Sequence, residues 1–221
     1  MTRTGVRLAA PVLAVLAMLL AAGPAAAPAA AEAPPPPPVR AAPPAVPQGG
    51  TGELVPVGRD RPATVEQGRE IRYAVEVERG LPVPTAGFAA VVHQILTDDR
   101  GWQGLDGVRL VQVAGPPADL TVTLASPDTT DRLCAPLRTR GEVSCWNGER
   151  AVLNAKRWLL GAETFGTDLV GYRSYLVSHE VGHGLGHGHR RCPAPGLPAP
   201  VMVQQTKSLD GCVANSWPAG G

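Results

Sequence analysis

HEVGHGLGHGH, residues 179–189, carries most of the functional information in the chain. Residues four apart in an α-helix lie on the same face, so His179 and His183 can present their imidazoles to one metal ion. Glu180 is turned about a third of the way round the helix, where its carboxylate can hydrogen-bond a metal-bound water without binding the metal. We therefore expect Glu180 to act as the general base of a hydrolytic site.

The third ligand has two candidates in the same stretch. Gly186 can adopt the left-handed conformation that ends a helix, which would turn His189 back toward the metal. His187 continues the spacing of four, but in a straight helix it lies about 12 Å from His179, too far for one zinc ion. We predict one Zn²⁺ per chain, bound by His179, His183 and His189. Three neutral imidazoles leave a fourth position for water, as in catalytic zinc sites.

The glycine content of this helix is unusual. Each glycine inside a helix costs about 1 kcal/mol relative to alanine, and four occur in succession at every second position: Gly182, Gly184, Gly186 and Gly188. We expect close packing of the helix backbone against a neighbouring element, with metal binding contributing to the free energy of folding.

The stretch resembles the elongated signature HExxHxxGxxH of the metzincin metalloproteases, and every fixed position matches. In that clan a methionine turn lies beneath the metal. Met202 follows His189 by 13 residues and resembles this turn, although it could instead be an ordinary core residue. The resemblance implies a zincin-like α+β fold and hydrolysis of peptide bonds.

The region from about Thr51 to Trp217 is also similar to an uncharacterised family of secreted actinobacterial proteins that carry a metzincin-like helix. This likeness implies a twisted sheet, an active-site helix and a small irregular C-terminal subdomain. The chain departs from the metzincin pattern at Gln204, where some members have a tyrosine two residues after the methionine. No cysteine precedes the domain, so a cysteine-switch propeptide is not expected.

The N-terminal residues are typical of an export leader. Arg3 and Arg7 precede an apolar run at residues 8–22, which small residues follow. About 15 apolar residues are fewer than the roughly 20 that a spanning helix needs, so we favour a cleaved signal peptide over a membrane anchor. We assign residues 1–31 to the leader, 32–50 to a Pro/Ala-rich linker and 51–221 to the metalloprotease domain. The mature protein is expected to be secreted or attached to the cell envelope.

The four cysteines fit an oxidising compartment and allow three pairings. We favour Cys134 with Cys145 and Cys192 with Cys212, because both pairs close short loops that flank Gly/Pro-rich stretches. A cysteine-ligated zinc site would need a C-x-x-C spacing, which is missing from the sequence.

The charge balance argues against nucleic acid as a partner. The formal net charge is +1, and removal of Arg3 and Arg7 with the leader would change it to −1. No run of basic residues with interleaved aromatics is present, so binding to a phosphate backbone would have little support.

The hydrophobic pattern predicts an α+β domain with a mixed or antiparallel sheet. The expected elements are strands at 71–78, 108–113, 120–124 and 150–155, and helices at 85–97 and from Leu169. The first strand alternates and should bury one face. We also expect a cysteine-bearing hairpin around Arg140-Gly141, a cap at Thr167 or Asp168, and a partly buried structural role for His93.

These observations predict a secreted, monomeric zinc metalloendopeptidase that acts on a peptide or protein substrate. The strand at 150–155 either pairs with an extended substrate or is an ordinary buried strand. Two alternatives remain open: a non-catalytic zinc-binding protein of the cell envelope, and a zinc amidase that acts on cell-wall peptides. Retention of Glu180 argues against the first, because a structural zinc site has no use for that carboxylate.

Overall fold

The computed structural model describes residues 44–221. The expected signal peptide at 1–31 and most of the expected linker lie outside these residues. Within the remainder of the linker, Gln48 already contacts the domain, since its side-chain amide donates to the Asp128 carboxylate over 2.8 Å. Among residues 44–221, no helix is long and apolar enough to cross a bilayer.

The described part of the chain contains one six-stranded mixed sheet. The strands are β1 (Leu54–Pro56), β2 (Arg69–Glu78), β3 (Val108–Gln112), β4 (Leu120–Ala125), β5 (Cys145–Trp146) and β6 (Arg150–Asn154). Strands β2, β4 and β6 run parallel to one another in that spatial order, and β3 runs parallel beside the first half of β2. Strands β1 and β5 are antiparallel to their neighbours β2 and β6. Of the two sheet types expected, the mixed sheet is the one observed.

Five α-helices pack against this sheet within residues 44–221. They are α1 (Thr85–Leu96), α2 (Trp102–Asp106), α3 (Pro127–Cys134), α4 (Ala155–Leu160) and α5 (Leu169–Gly184). The core between the sheet and helices α1 and α5 includes Tyr73, Val75, Val122, Leu153, Phe88, Val92, Tyr172 and Leu176. Helix α5 is therefore held rigidly on one face of the sheet, which fixes the position of its histidines.

The alternation in β2 predicted a strand with one buried face, and this is wrong for its second half. Every residue from Tyr73 to Glu78 is buried. Parallel strands are covered on both faces, and β2 lies at the centre of such a sheet. Its polar residues Glu76 and Glu78 are buried together with the apolar ones.

The hairpin expected around Arg140-Gly141 is also wrong. Residues up to Cys134 form α3, which begins at Pro127 after Ser126, a favourable start for a helix. The antiparallel pair is instead β5 with β6, where Cys145 lies opposite Val152. Arg140 and Gly141 form only a turn, with φ of 56° and 65°.

The strand predicted at 150–155 is an ordinary buried strand. It runs as β6 from Arg150 to Asn154, and it is paired with β4 on one side and β5 on the other. No edge of β6 is free for a substrate along these pairings. The outer strand on this side of the sheet is β5.

Both expected disulfides form, Cys134–Cys145 and Cys192–Cys212. The first joins the end of α3 to β5. The second crosses the irregular region after α5, where Ala199, Val203 and Cys212 form a small apolar cluster of their own. This region contains only turns, an isolated bridge and one short 3₁₀ helix at Pro218–Gly220, in line with the irregular C-terminal part that was predicted.

Candidate metal centre

Helix α5 presents two histidines to one cleft. The helix begins after Asp168, whose carboxylate accepts from the Gly171 amide over 2.8 Å, so Asp168 rather than Thr167 is the cap. From Tyr172 onward the helix is almost completely buried, which leaves little freedom for its rotation. His179 is buried and His183 is half-buried, one turn further along the same face.

A turn after α5 brings His189 to the same place. Gly186 has a φ of +101°, a conformation that a residue with a Cβ rarely adopts. The His187 amide donates to the Gly182 carbonyl over 2.9 Å, and the Gly186 amide to the His183 carbonyl over 3.0 Å. These two bonds form a Schellman motif, which satisfies the last helix carbonyls and reverses the chain.

The three imidazoles form a compact group. One nitrogen from each of His179, His183 and His189 lies within 4.8 Å of the other two, and the Nε2 atoms of His183 and His189 are 3.1 Å apart. Ligands of a tetrahedral zinc ion at about 2.0 Å are separated by about 3.3 Å. The spacing of this group therefore suits a single small metal ion.

Hydrogen bonds on the opposite side of two rings fix their orientation. His179 Nδ1 lies 2.8 Å from the Val201 carbonyl, and His183 Nδ1 lies 2.8 Å from the His187 carbonyl. A carbonyl only accepts, so each Nδ1 carries the proton and each Nε2 keeps its lone pair. This is the tautomer and the outer contact that metal-binding histidines use.

The protonation state of the group also favours a cation. Burial lowers the pKa of the His179 imidazole to about 3, with smaller contributions from His183 and His189. Burial likewise lowers the pKa values of His183 and His189. All three rings are therefore neutral at pH 7, and a metal ion need not displace protons to bind.

Glu180 lines the same cleft as the histidines. Its side chain is 5% exposed and makes no hydrogen bond to any residue in 44–221. Burial raises the pKa of this carboxyl to about 8, an effect that the Lys207 charge partly offsets. A buried carboxyl with a raised pKa in the same cleft as three imidazoles makes this cleft a candidate functional site.

The cleft has a volume of about 320 Å³ and is lined by three parts of the chain. Residues 137–139 and 143–146, which end in strand β5, form one wall. Gln204, Thr206 and Lys207 form a second wall, and α5 and His189 supply the rest of the lining. The histidine group therefore shares its cleft with the edge strand β5 and with the segment that follows Met202.

The other histidines have different roles. His187 Nε2 bonds to the Asp106 carboxylate over 2.7 Å, and its ring stacks on Trp102 with centroids 4.1 Å apart. Its side chain therefore points away from the group formed by His179, His183 and His189, while its carbonyl orients the His183 ring. His93 Nδ1 lies 2.8 Å from the Tyr73 hydroxyl, which agrees with the structural role expected for this residue.

Met202 is buried beneath the end of α5. A Cβ at Gly182 would lie 2.7 Å from the Met202 sulfur, which shows how closely the helix backbone approaches this side chain. Its neighbour Val201 supplies the carbonyl that orients His179. Gln204, two residues after Met202, lines the cleft.

Several residues of the cleft were not predicted from the sequence. Tyr175 lies one turn before His179 on the same face of α5, so the spacing of four could have indicated it. Its hydroxyl donates to the Val203 carbonyl over 3.1 Å. Arg138 and Lys207 gave no comparable signal, because they come from segments outside the helix.

The fold and the site together define an α+β protein with a three-histidine group that could hold a metal ion. The chain belongs to the family described as "Protein of unknown function (DUF3152)", which it matches over residues 42–217. No curated protein matches the chain. No solved structure matches it.

Proposed function

We propose that this protein is a zinc-dependent metallopeptidase of metzincin-like character, which acts outside the cytoplasm. The observation that carries the proposal is a group of three imidazole nitrogens within 4.8 Å of one another, in the same cleft as the buried carboxyl of Glu180. Neutral nitrogen donors in this number suit zinc with an open coordination position. The two disulfides are compatible with an oxidising extracellular compartment.

A zinc ion bound by His179, His183 and His189 would lower the pKa of a coordinated water and polarise the substrate carbonyl. The positive charge of a bound zinc ion would favour the ionised form of Glu180 over the neutral form that burial favours in the metal-free protein. The Glu180 carboxylate would then accept a proton from the attacking water and deliver it to the amide nitrogen as the C–N bond breaks. The oxygen of that water ends in the new carboxyl group. Val201 and His187 hold the rings in place through their carbonyls throughout.

Strand β5 is the element that we propose to hold an extended substrate. Cys145 and Trp146 line the cleft, and β5 is the outermost strand on this side of the sheet. An outer strand offers unpaired backbone groups to which a peptide can bond as an added strand. This role replaces the one considered for residues 150–155, which are paired on both sides.

The test is peptide cleavage by zinc-loaded protein, measured with a peptide library. Glu180→Gln should retain zinc but lose about 10²- to 10⁴-fold in kcat/KM, because it removes the proton acceptor. Glu163→Gln, an exposed carboxyl outside the cleft, is the matched control and should leave cleavage unchanged. A zinc chelator should abolish activity, and added zinc should restore it.

Two outcomes would contradict the proposal. Full cleavage by Glu180→Gln would remove this residue from the mechanism. Stoichiometric zinc binding without cleavage of any peptide would instead favour the non-catalytic envelope protein or an amidase that acts on cell-wall peptides, and purified cell wall would then be the next substrate.

A further inference from the structure

Two cations line the cleft from separate segments of the chain. Arg138 lies on the wall that leads to β5, and Lys207 lies on the wall that follows Met202. Both side chains are exposed, and neither forms an ion pair within residues 44–221. Their charges are therefore available to a bound molecule.

The segment that carries Lys207 is anchored at several points. The Lys207 amide donates to the Gln204 carbonyl over 2.9 Å, and the Thr164 hydroxyl donates to the Gln205 carbonyl over 2.7 Å. The buried Gln205 side chain exchanges two hydrogen bonds of 2.9 Å with the Asn215 backbone. The backbone beneath Lys207 is thus fixed, and only the side chain must be ordered when it binds a ligand.

Lys207 lines the cleft together with Glu180 and the three histidines, and it lines the adjoining hollow with His189. A molecule that occupies the cleft would therefore contact both the histidine group and the Lys207 ammonium group.

The local charge balance is positive although the whole chain is almost neutral. Glu180 is the only carboxylate among the residues that line the cleft in the described part of the chain. The adjoining hollow adds Arg190 and Arg191 against one carboxylate, Asp210, which accepts from the Ser208 hydroxyl over 2.7 Å. A cleft lined by one sign of charge attracts ligands of the opposite sign.

We propose that the substrate carries a carboxylate beside the bond to be cleaved, that Lys207 binds this group, and that Arg138 attracts further acidic residues of the substrate. This inference rests on the proposed function and adds the substrate class, namely acidic peptides. The carboxylate could belong to a side chain or to the end of the substrate chain, and both present the same group to an ammonium ion.

The test uses binding, so that it does not depend on turnover. Short peptide hydroxamates bind to zinc. We would prepare pairs of such peptides that differ only in Glu or Gln beside the hydroxamate. In one series the hydroxamate is at the N-terminal end and the C-terminus is amidated, and in the other the hydroxamate is at the C-terminal end. Zinc-loaded protein should bind the Glu member of one series about fivefold more tightly by calorimetry, the upper range for an ion pair that remains partly solvated. The preference should decrease at high salt, because added ions screen the attraction.

Variants of Lys207 identify the source of the preference. Lys207→Met should bind both members of the pair within about twofold, and Lys207→Glu should prefer the Gln member. Arg59→Met removes an exposed cation that does not line the cleft, and it should retain the original preference. A further pair of peptides has Ala beside the hydroxamate, and its members differ in a free or an amidated C-terminus. This pair distinguishes a terminal carboxylate from a side-chain carboxylate.

The outcomes separate this inference from the proposed function. Hydroxamate binding without any preference for Glu or a free terminus, or a preference that persists in Lys207→Met, would overturn the carboxylate proposal alone. Failure of every hydroxamate to bind to zinc-treated protein would overturn the proposed function and the inference with it.

Discussion

Two backbone carbonyls from different parts of the chain control the geometry of the histidine group. Val201 belongs to the region after α5, and His187 belongs to the turn that ends the helix. Each carbonyl accepts a hydrogen bond from one Nδ1–H group. The Nε2 atoms of His179 and His183 are therefore the ring nitrogens available to a metal ion. The site is thereby preorganised by residues that do not touch the metal position.

Substitution of the last two histidines should separate a ligand from a positioning residue. His189→Ala removes one of three nitrogen donors and should weaken zinc binding by at least about 100-fold. His187→Ala removes the bond to Asp106 and the stack on Trp102, but it keeps the carbonyl that orients His183, so we expect a loss of about tenfold. Competition with a chromophoric chelator measures both affinities. Equal losses in the two variants would contradict this assignment.

Glu78 is a buried carboxyl that stabilises the fold away from the cleft. Burial would raise its pKa, but hydrogen bonds from the Ser126 and Gly52 amides and from the Thr129 hydroxyl outweigh this effect and lower the pKa. These three bonds measure 2.7, 2.7 and 2.8 Å. The ionised carboxylate therefore joins the end of β2 to the start of α3 and to the N-terminal segment.

The lowered pKa of Glu78 makes its contribution dependent on pH. Because the folded protein holds the carboxylate ionised, the stabilisation is complete above the ordinary carboxyl pKa of 4.5 and is lost as the pH falls below it. Glu78→Gln should be less stable by about 2 kcal/mol at pH 7. Urea unfolding from pH 7 to pH 3 should show this difference shrinking below pH 4.5. A constant difference over that range would contradict the account.

At the residue scale, spacing along one helix was enough to predict the central group. His179, His183 and Glu180 lie within one and a half turns of the helix. Gly186 indicated a turn that ends the helix and brings His189 back toward the other two histidines. Spacing cannot predict partners that fold in from elsewhere. Arg138 and Lys207 reach the site only through the packing of the loop after α3 and of the region after Met202.

At the scale of the element, α5 accepts glycine where other groups approach its backbone. A Cβ at Gly182 would lie 2.7 Å from the Met202 sulfur and 2.8 Å from Trp102, and one at Gly184 would lie 3.1 Å from Trp146. The expected close packing is therefore present at these two positions. Gly188 has no atom within 4 Å of its Cβ position, so packing does not explain glycine there.

This contrast gives a matched pair of variants. Gly182→Ala should destabilise the metal-free protein by about 1–3 kcal/mol, because Met202 and Trp102 must move to admit the methyl group. Gly188→Ala should change the stability by less than about 0.5 kcal/mol. Thermal unfolding in the presence of a chelator measures both. If the two variants proved equally stable, the close contact at Gly182 would have no energetic consequence.

Long periodic elements were predicted well, and short ones were not. The strands that became β2, β3, β4 and β6 and the helices α1 and α5 lie within one or two residues of their expected ranges. Strand β5 has only two residues and α3 only eight, so neither repeats a period often enough to be recognised. The hairpin was consequently placed too early, and the strand that borders the cleft was missed.

At the scale of the whole described domain, the first disulfide supports a wall of the cleft. Cys134–Cys145 closes a loop with a sequence separation of 11, and this loop contributes Arg138, Thr139 and Val143 to the lining. The same loop is also held by Asp131, which accepts from the Thr139 hydroxyl and from the Gly141 amide. The covalent tie and these bonds together limit the motion of the wall.

Removal of this disulfide should weaken both the fold and the cleft. Replacing Cys134 and Cys145 by alanine should lower the free energy of unfolding by about 3 kcal/mol, mainly through the greater entropy of the unfolded chain. Replacing Cys192 and Cys212 should cost a similar amount but leave the wall that carries Arg138 intact. Limited proteolysis should therefore cut at residues 135–144 first only in the former variant. Equal protection of that loop in both variants would contradict its role.

The class of the domain followed from the order of its elements, but the direction of its strands did not. The alternation in β2 predicted a strand with one buried face, and the order of elements left a mixed and an antiparallel sheet open. The strand is instead buried at every residue from Tyr73 to Glu78, and at its end Glu78 binds the start of α3 and the N-terminal segment. Such burial depends on tertiary contacts that no single stretch of sequence contains.

The central claim is that three imidazoles bind one zinc ion and leave a position open. X-ray absorption of zinc-loaded protein, together with the metal content per chain, measures this most directly. The account predicts one zinc with three nitrogen ligands and one oxygen ligand at about 2.0 Å, and a reduced nitrogen count in His189→Ala. A folded protein that takes up no zinc, or one whose zinc has four ligands from the protein, would contradict it.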